Sequence, residues 1–205
     1  MHDPRLDSDN SAAVNEFYPH LHGIREEVEY SEIQGIRLYH NRNTIHFPSH
    51  WHSAIEILYP LEENYTVKIG TEESVLMPGD ILVIAPGTIH SYTPPESGER
   101  IFILFDYNLL KMFRGLRQMM QAIQPYLLIT QTAYPPLNEK LQELLRDVIR
   151  EYDEDSPYCG AMIWSRLLEF FAYIGRTDVY RVSHSREFPK DKRQEYVTKF
   201  MEVCN

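Results

Sequence analysis

Between residues 36 and 107 the chain is cut into short runs rich in β-branched and aromatic residues, and turn-forming residues separate nearly all of them. The runs fall at 36–40, 51–61, 65–69, 74–77, 81–85, 90–93 and 101–105. Gly70-Thr71 suits a hairpin between its flanking runs. Pro78-Gly79 sets proline and glycine at the two central positions of a type II turn, where glycine supplies the positive φ. Many short strands at this spacing predict a sandwich or barrel.

Beyond Asp106 the period changes. A first helical stretch, 109–124, is closed by Pro125, and Pro135-Pro136 resets the chain. Leu137, Leu141, Leu144, Leu145, Val148, Ile149 and Tyr152 then mark one face of an amphipathic helix. The acidic run 153–155 and Pro157 end it. A second helix follows over 158–175, with Ile163, Leu167, Phe170, Phe171 and Ile174 on one side. A short break between two such helices makes an antiparallel hairpin. The organisation expected is an N-terminal arm (1–34), a barrel (35–108), a helical region (109–176) and a tail (177–205). In that tail Asp191 caps a last amphipathic segment carrying Tyr196, Val197, Phe200 and Met201. The class is mainly β with an α tail.

Charge narrows the partners. The net charge is −10, and it is unevenly spread: −12 over residues 1–175 and +2 over 176–205. Most of the chain would repel a phosphate backbone. No stretch approaches an apolar membrane span, and the acidic N-terminus with Asp3, Asp7 and Asp9 has no secretory character. Cys159 and Cys204 lack both a disulfide framework and a metal-binding spacing, so a reduced, cytoplasmic address is expected.

Chemistry concentrates at His50-Trp51-His52-Ser53-Ala54-Ile55-Glu56 and at His90. In an extended strand His50, His52 and Glu56 share one face, while Trp51 faces away. The turn Pro86-Gly87-Thr88-Ile89 can bring His90 to the same point. A lone strand histidine is more often an ordinary polar residue than a ligand. A pair joined by a carboxylate of the same parity and a fourth histidine behind a framed turn is another matter. Three imidazoles and a carboxylate suit Zn, Ni, Mn or Fe with positions left open. A metal-free alternative has the same four groups hydrogen-bonding a polar ligand.

His50-x-His52-x3-Glu56 and Gly79-Asp80-x6-Gly87-x2-His90 resemble the two motifs of the cupin superfamily, with Glu63 where a glycine is expected and Ala85 where a proline is. The fuller strings His-Trp-His-Ser-Ala-Ile-Glu-Ile-Leu-Tyr and Pro-Gly-Asp-Ile-Leu-Val-Ile-Ala-Pro-Gly-Thr-Ile-His-Ser-Tyr, with Phe105-Asp106, are similar to the sensing domain of AraC-type transcription regulators over roughly residues 35–205. The resemblance implies a cupin-like double-stranded β-helix barrel followed by an antiparallel helical hairpin that dimerises. It also implies a small-molecule effector, and DNA contact only through a helix-turn-helix domain whose first helix begins in 177–205.

Arg37, Tyr39 and Tyr92 are expected to line the pocket beside the metal candidates His50, His52, Glu56 and His90. Leu141 and Leu145 are expected at a homodimer interface. The rival reading is a metal-dependent cupin enzyme, an oxygenase or a sugar isomerase. No nucleophile arrangement, phosphate-binding glycine loop or pair of carboxylates suited to glycoside chemistry supports catalysis, so a sensor rather than an enzyme is expected.

Overall fold

The structure, a computed structural model, describes residues 20–30, 33, 35–113, 115, 116, 119, 123–177, 195, 197 and 199. A small hairpin of β1 (His20–His22) and β2 (Arg25–Glu27) precedes the barrel. The barrel strands are β3 (Ile36–Asn41), β4 (Phe47–His50), β5 (Ile55–Pro60), β6 (Tyr65–Ile69), β7 (Glu72–Leu76), β8 (Ile81–Ile84), β9 (His90–Thr93) and β10 (Arg100–Phe105). After a short α1 (Tyr107–Lys111) comes β11 (Tyr126–Ile129), and then α2 (Pro135–Glu154) and α3 (Cys159–Arg176). The strands form a five-stranded sheet, β11-β8-β5-β10-β3, and a four-stranded sheet, β4-β9-β6-β7, antiparallel throughout. This is the expected antiparallel β barrel with a helical tail.

The two sheets differ in sequence because they differ in cover. In the five-stranded sheet β5, β8 and β10 are buried at every position. One set of side chains, Leu58, Leu82, Ile84, Phe102 and Leu104, packs toward the other sheet with Tyr65, Val67 and Tyr92. The alternate set, Ile57, Ile81, Val83, Ile101 and Ile103, packs against the helices. A sheet covered on both faces reads as continuous apolar runs. The four-stranded sheet keeps one wet face, so β6 and β7 alternate, with Lys68 and Glu73 exposed.

The hairpin of α2 and α3 does not leave its stripe free. Leu141, Leu144, Leu145, Val148, Ile163, Leu167, Phe170 and Phe171 are all buried in the core shared with the five-stranded sheet. The expectation that Leu141 and Leu145 face a second subunit is therefore corrected: both are fully buried within the chain. An amphipathic stripe demands a cover, and here the barrel's outer face supplies it.

Two further expectations are corrected. Residues 109–176 are not wholly helical, since β11 pairs with β8 and extends the barrel to Ile129. A four-residue apolar run between prolines carries no period of its own. The run 51–61 is not one strand either: the chain leaves β4 at His50, crosses between sheets, and enters β5 at Ile55.

The Gly79-Asp80 turn fastens the helices to the barrel. Gly79 sits at φ 89°, and a Cβ there would meet the Gln131 side chain at 2.6 Å. Its carbonyl accepts from Asn138 and Gln142 of α2, and the Asp80 carboxylate accepts from the backbone of Met77 and Gln131. Glu63 adopts φ 55°, so the left-handed conformation survives where the glycine of the pattern is missing. Among the described residues no helix is long and apolar enough to cross a membrane. The tail expected over 177–205 lies almost wholly outside the described residues, as does most of the 1–34 arm.

Candidate functional site

The four candidate ligands come from both sheets. His50, at the end of β4, is the cross-strand partner of His90, at the start of β9. Glu56 lies on β5 of the facing sheet, and His52 lies on the segment that crosses between them. All four are buried, and one ligand atom from each lies within 4.8 Å of the others. Strand parity anticipated that the four side chains converge, but by an incomplete route, because the crossing segment and not a single strand brings His52 to Glu56.

The imidazoles are oriented from behind. The Nδ1 atoms of His50, His52 and His90 lie 3.0, 3.1 and 2.8 Å from the carbonyl oxygens of Pro48, Ala54 and Thr88. A carbonyl only accepts, so each Nδ1 carries a hydrogen, and each neutral ring turns its Nε2 lone pair inward. This is the arrangement by which outer hydrogen bonds aim histidine ligands at a metal.

Inside the cluster the Nε2 atoms lack enough donors to satisfy one another. His52 Nε2 faces Glu56 Oε2 at 2.7 Å, an acceptor against an acceptor unless a proton or a cation stands between them. His90 Nε2 is buried with no hydrogen-bond partner, 3.5 Å from Glu56 Oε2. Tyr92 donates its hydroxyl to Glu56 Oε1.

Burial opposes the Glu56 charge, yet hydrogen bonds and attraction from His52 and His90 outweigh it and hold its pKa well below the usual range. The His52 pKa is raised: burial opposes the charge, but Glu56 overrides it. That of His90 falls to about 4, through burial and then repulsion from His50. Burial, reinforced by Glu56, holds the Tyr92 hydroxyl protonated. Three inward lone pairs, one of them on the orphaned His90 Nε2, and one carboxylate fit a divalent cation such as Zn, Ni, Mn or Fe.

His50 and Glu56 of the cluster also line a cavity between the sheets, together with Asn41, Asn43, Tyr65, Arg100 and Phe102. Of the residues expected to line it, Tyr92 does. Arg37 and Tyr39 are not among its lining residues; the Arg37 guanidinium lies over the Tyr39 ring, 5.0 Å from its centroid. Two of the unanticipated lining residues are charged. Glu26, from the β2 hairpin, is buried with Oε2 3.3 Å from His50 Nε2, and Arg100 opens β10 at 1% exposure. No sequence period marks Glu26. Arg100 leaves a trace as the single charge heading a wholly apolar strand. Trp51 does turn away from the cluster, but it is buried against Ile89 and Val197.

A barrel with a buried histidine–carboxylate cluster beside an internal cavity, and a helical hairpin covering one outer face, is the architecture of a ligand-binding domain. The chain belongs to the AraC-like ligand binding domain family, which matches residues 34–171. Comparison with curated proteins gives no match.

Among solved structures, an RmlC-like cupin from Shewanella frigidimarina is 19% identical over 35% of this chain and 66% of that one, with TM-score 0.33. Bacillus subtilis oxalate decarboxylase, a protein with Mn(II) centres, is 21% identical over 35% and 21%, with TM-score 0.32. The DMSP lyase DddQ from Ruegeria pomeroyi is 20% identical over 37% and 40%, with TM-score 0.32. The present chain therefore spans about a fifth of the decarboxylase and two fifths of the lyase, and likenesses of this extent transfer no chemistry.

Proposed function

We propose that this chain is the ligand-sensing and dimer-forming part of an AraC-type transcription regulator. It works in the cytoplasm, and a small molecule entering the barrel controls DNA binding by a helix-turn-helix domain of the same regulator. The observation that carries this reading is the buried His50, His52, Glu56 and His90 cluster opening into the cavity of a ligand-binding family barrel. These four residues hold a divalent metal, which supplies a Lewis-acidic pole for a ligand oxygen. Tyr92 keeps Glu56 oriented, and the three backbone carbonyls keep the rings aimed. The net charge of −10 supports assigning DNA contact to residues other than the barrel.

The homodimer belongs to the outer side of α3 rather than to its core stripe. An apolar groove there is lined by Phe113, Met112, Ala161, Trp164 and Leu168, and Met112 and Phe113 are 79% and 49% exposed. A symmetric copy is a usual cover for such a patch. Native mass spectrometry of the purified chain tests the whole reading: the expected species is a dimer carrying metal and a retained small molecule.

The donor set alone would also serve a metal-dependent oxygenase or sugar isomerase. Monomers with metal-dependent turnover would favour that second reading.

A further inference from the structure

Arg100 is a buried cation at the start of β10. The residue is 1% exposed, and its hydrogen-bond acceptors are neutral: the carbonyls of Gly98 and Asn43, the Asn41 side-chain oxygen and the Tyr65 hydroxyl. Its guanidinium lies over the Tyr65 ring, 4.8 Å from the centroid. Among the described residues no carboxylate pairs with it, and its Nε is buried without a hydrogen-bond partner. The carboxylates that share the cavity lie beside the histidines, Glu26 at His50 and Glu56 at His52 and Tyr92, and neither is in ion-pair contact with Arg100. Burying a charge without a counter-ion is expensive, and among the described residues no carboxylate lies in ion-pair contact to offset it. The vacant donor lies on a residue lining the same cavity as the histidine cluster, between aromatic walls formed by Phe47, Tyr65 and Phe102.

We propose that the cavity is built for a small organic acid whose carboxylate pairs with Arg100 while its apolar body lies against Phe47 and Phe102. This rests on the sensing role and names the ligand class. A guanidinium is the side chain suited to a planar carboxylate, and such charge-assisted hydrogen bonds are the strong ones. Asn41 and Asn43 fix the guanidinium, and the far end of the acid points toward His50 and Glu56.

Calorimetric titration of the 205-residue chain with butyrate and phenylacetate, against butyramide, phenylacetamide and inorganic phosphate, tests this. The acids are expected to bind and the amides to bind at least tenfold more weakly. Asn41→Asp keeps the acceptor that holds Arg100 but supplies an internal carboxylate. It should weaken acid binding at least tenfold while raising the unfolding midpoint, and Arg100→Gln should weaken acid binding likewise. Asn41→Asp keeps the test decisive if Arg100→Gln does not fold.

Acids and amides binding alike would overturn the carboxylate assignment and leave the sensing role standing. So would acid binding indifferent to Asn41→Asp, which is the signature of an acid held by the metal alone. Phosphate binding without acid binding overturns the assignment too. If neither acids, amides nor phosphate bind, and the purified chain retains no small molecule, the sensing role falls with it.

Discussion

His40 on β3 holds Asp153 in the last turn of α2, with Nε2 3.0 Å from Oδ1, while its Nδ1 meets Glu99 at 2.7 Å. Both ring nitrogens face carboxylates, and the charged ring also lies near a helix C-terminus, where cations are favoured. Burial works against the charge, yet Glu99 and Asp153 outweigh it, and the pKa of His40 is raised. A raised histidine contributes stability that is fully present below its unfolded value and lost as pH rises through the folded one. An NMR titration should place His40 above the ordinary value of about 6.5. Asp153→Asn should bring it down, and the attachment of α2 to the barrel should weaken on the alkaline side. A wild-type value at or below the ordinary one would remove this link.

Zinc added to the chain should raise the unfolding midpoint, by about 2.7 kcal/mol at a hundredfold excess over Kd. His90→Ala or His52→Ala should abolish the gain, as should a chelator. Since the ligand imidazoles must be neutral, occupancy should fall as pH drops through about 6.5. Elemental analysis across that range reads it directly. No metal retained at neutral pH would leave the four residues to a polar ligand alone.

Leu145→Ala should cost about 2 to 5 kcal/mol of stability, because the side chain is fully buried between α2 and the barrel. It should do so whatever the oligomeric state. Phe113→Glu, at the half-exposed groove beside α3, should change stability by no more than about 0.5 kcal/mol while weakening self-association. Light scattering and denaturant melts on the two variants separate core from interface. The assignment fails if Leu145→Ala dissociates a folded dimer and Phe113→Glu does not.

Glu63 is exposed and held at φ 55°, a conformation that costs a non-glycine residue about 1 to 2 kcal/mol. Glycine removes that cost but loosens the unfolded chain, so Glu63→Gly should stabilise by up to about 1 kcal/mol. Thermal melts of the single variant check it, and a lower midpoint would show that the Glu63 side chain contributes more than its backbone costs.

The barrel was legible because turn residues punctuate it and because the apolar runs of β5, β8 and β10 record burial on both faces. The helices were legible from their period, but a period says that a face is covered and not by what, so Leu141 and Leu145 were assigned to the wrong neighbour. The ligand cluster was found through side-chain alternation, although His50 and Glu56 belong to different sheets. Glu26 and Arg100 escaped because no local pattern separates a charge folded inward by a distant strand from one left in water.

Val197 packs on Trp51 and Ile89. Trp51 stands between His50 and His52 in the chain, and Ile89 immediately precedes His90. The site and Val197 therefore share a wall, and linkage between them must be mutual. If a guest in the cavity loosens the seat of Val197 by some factor, then displacing Val197 must alter the grip on the guest by the same factor.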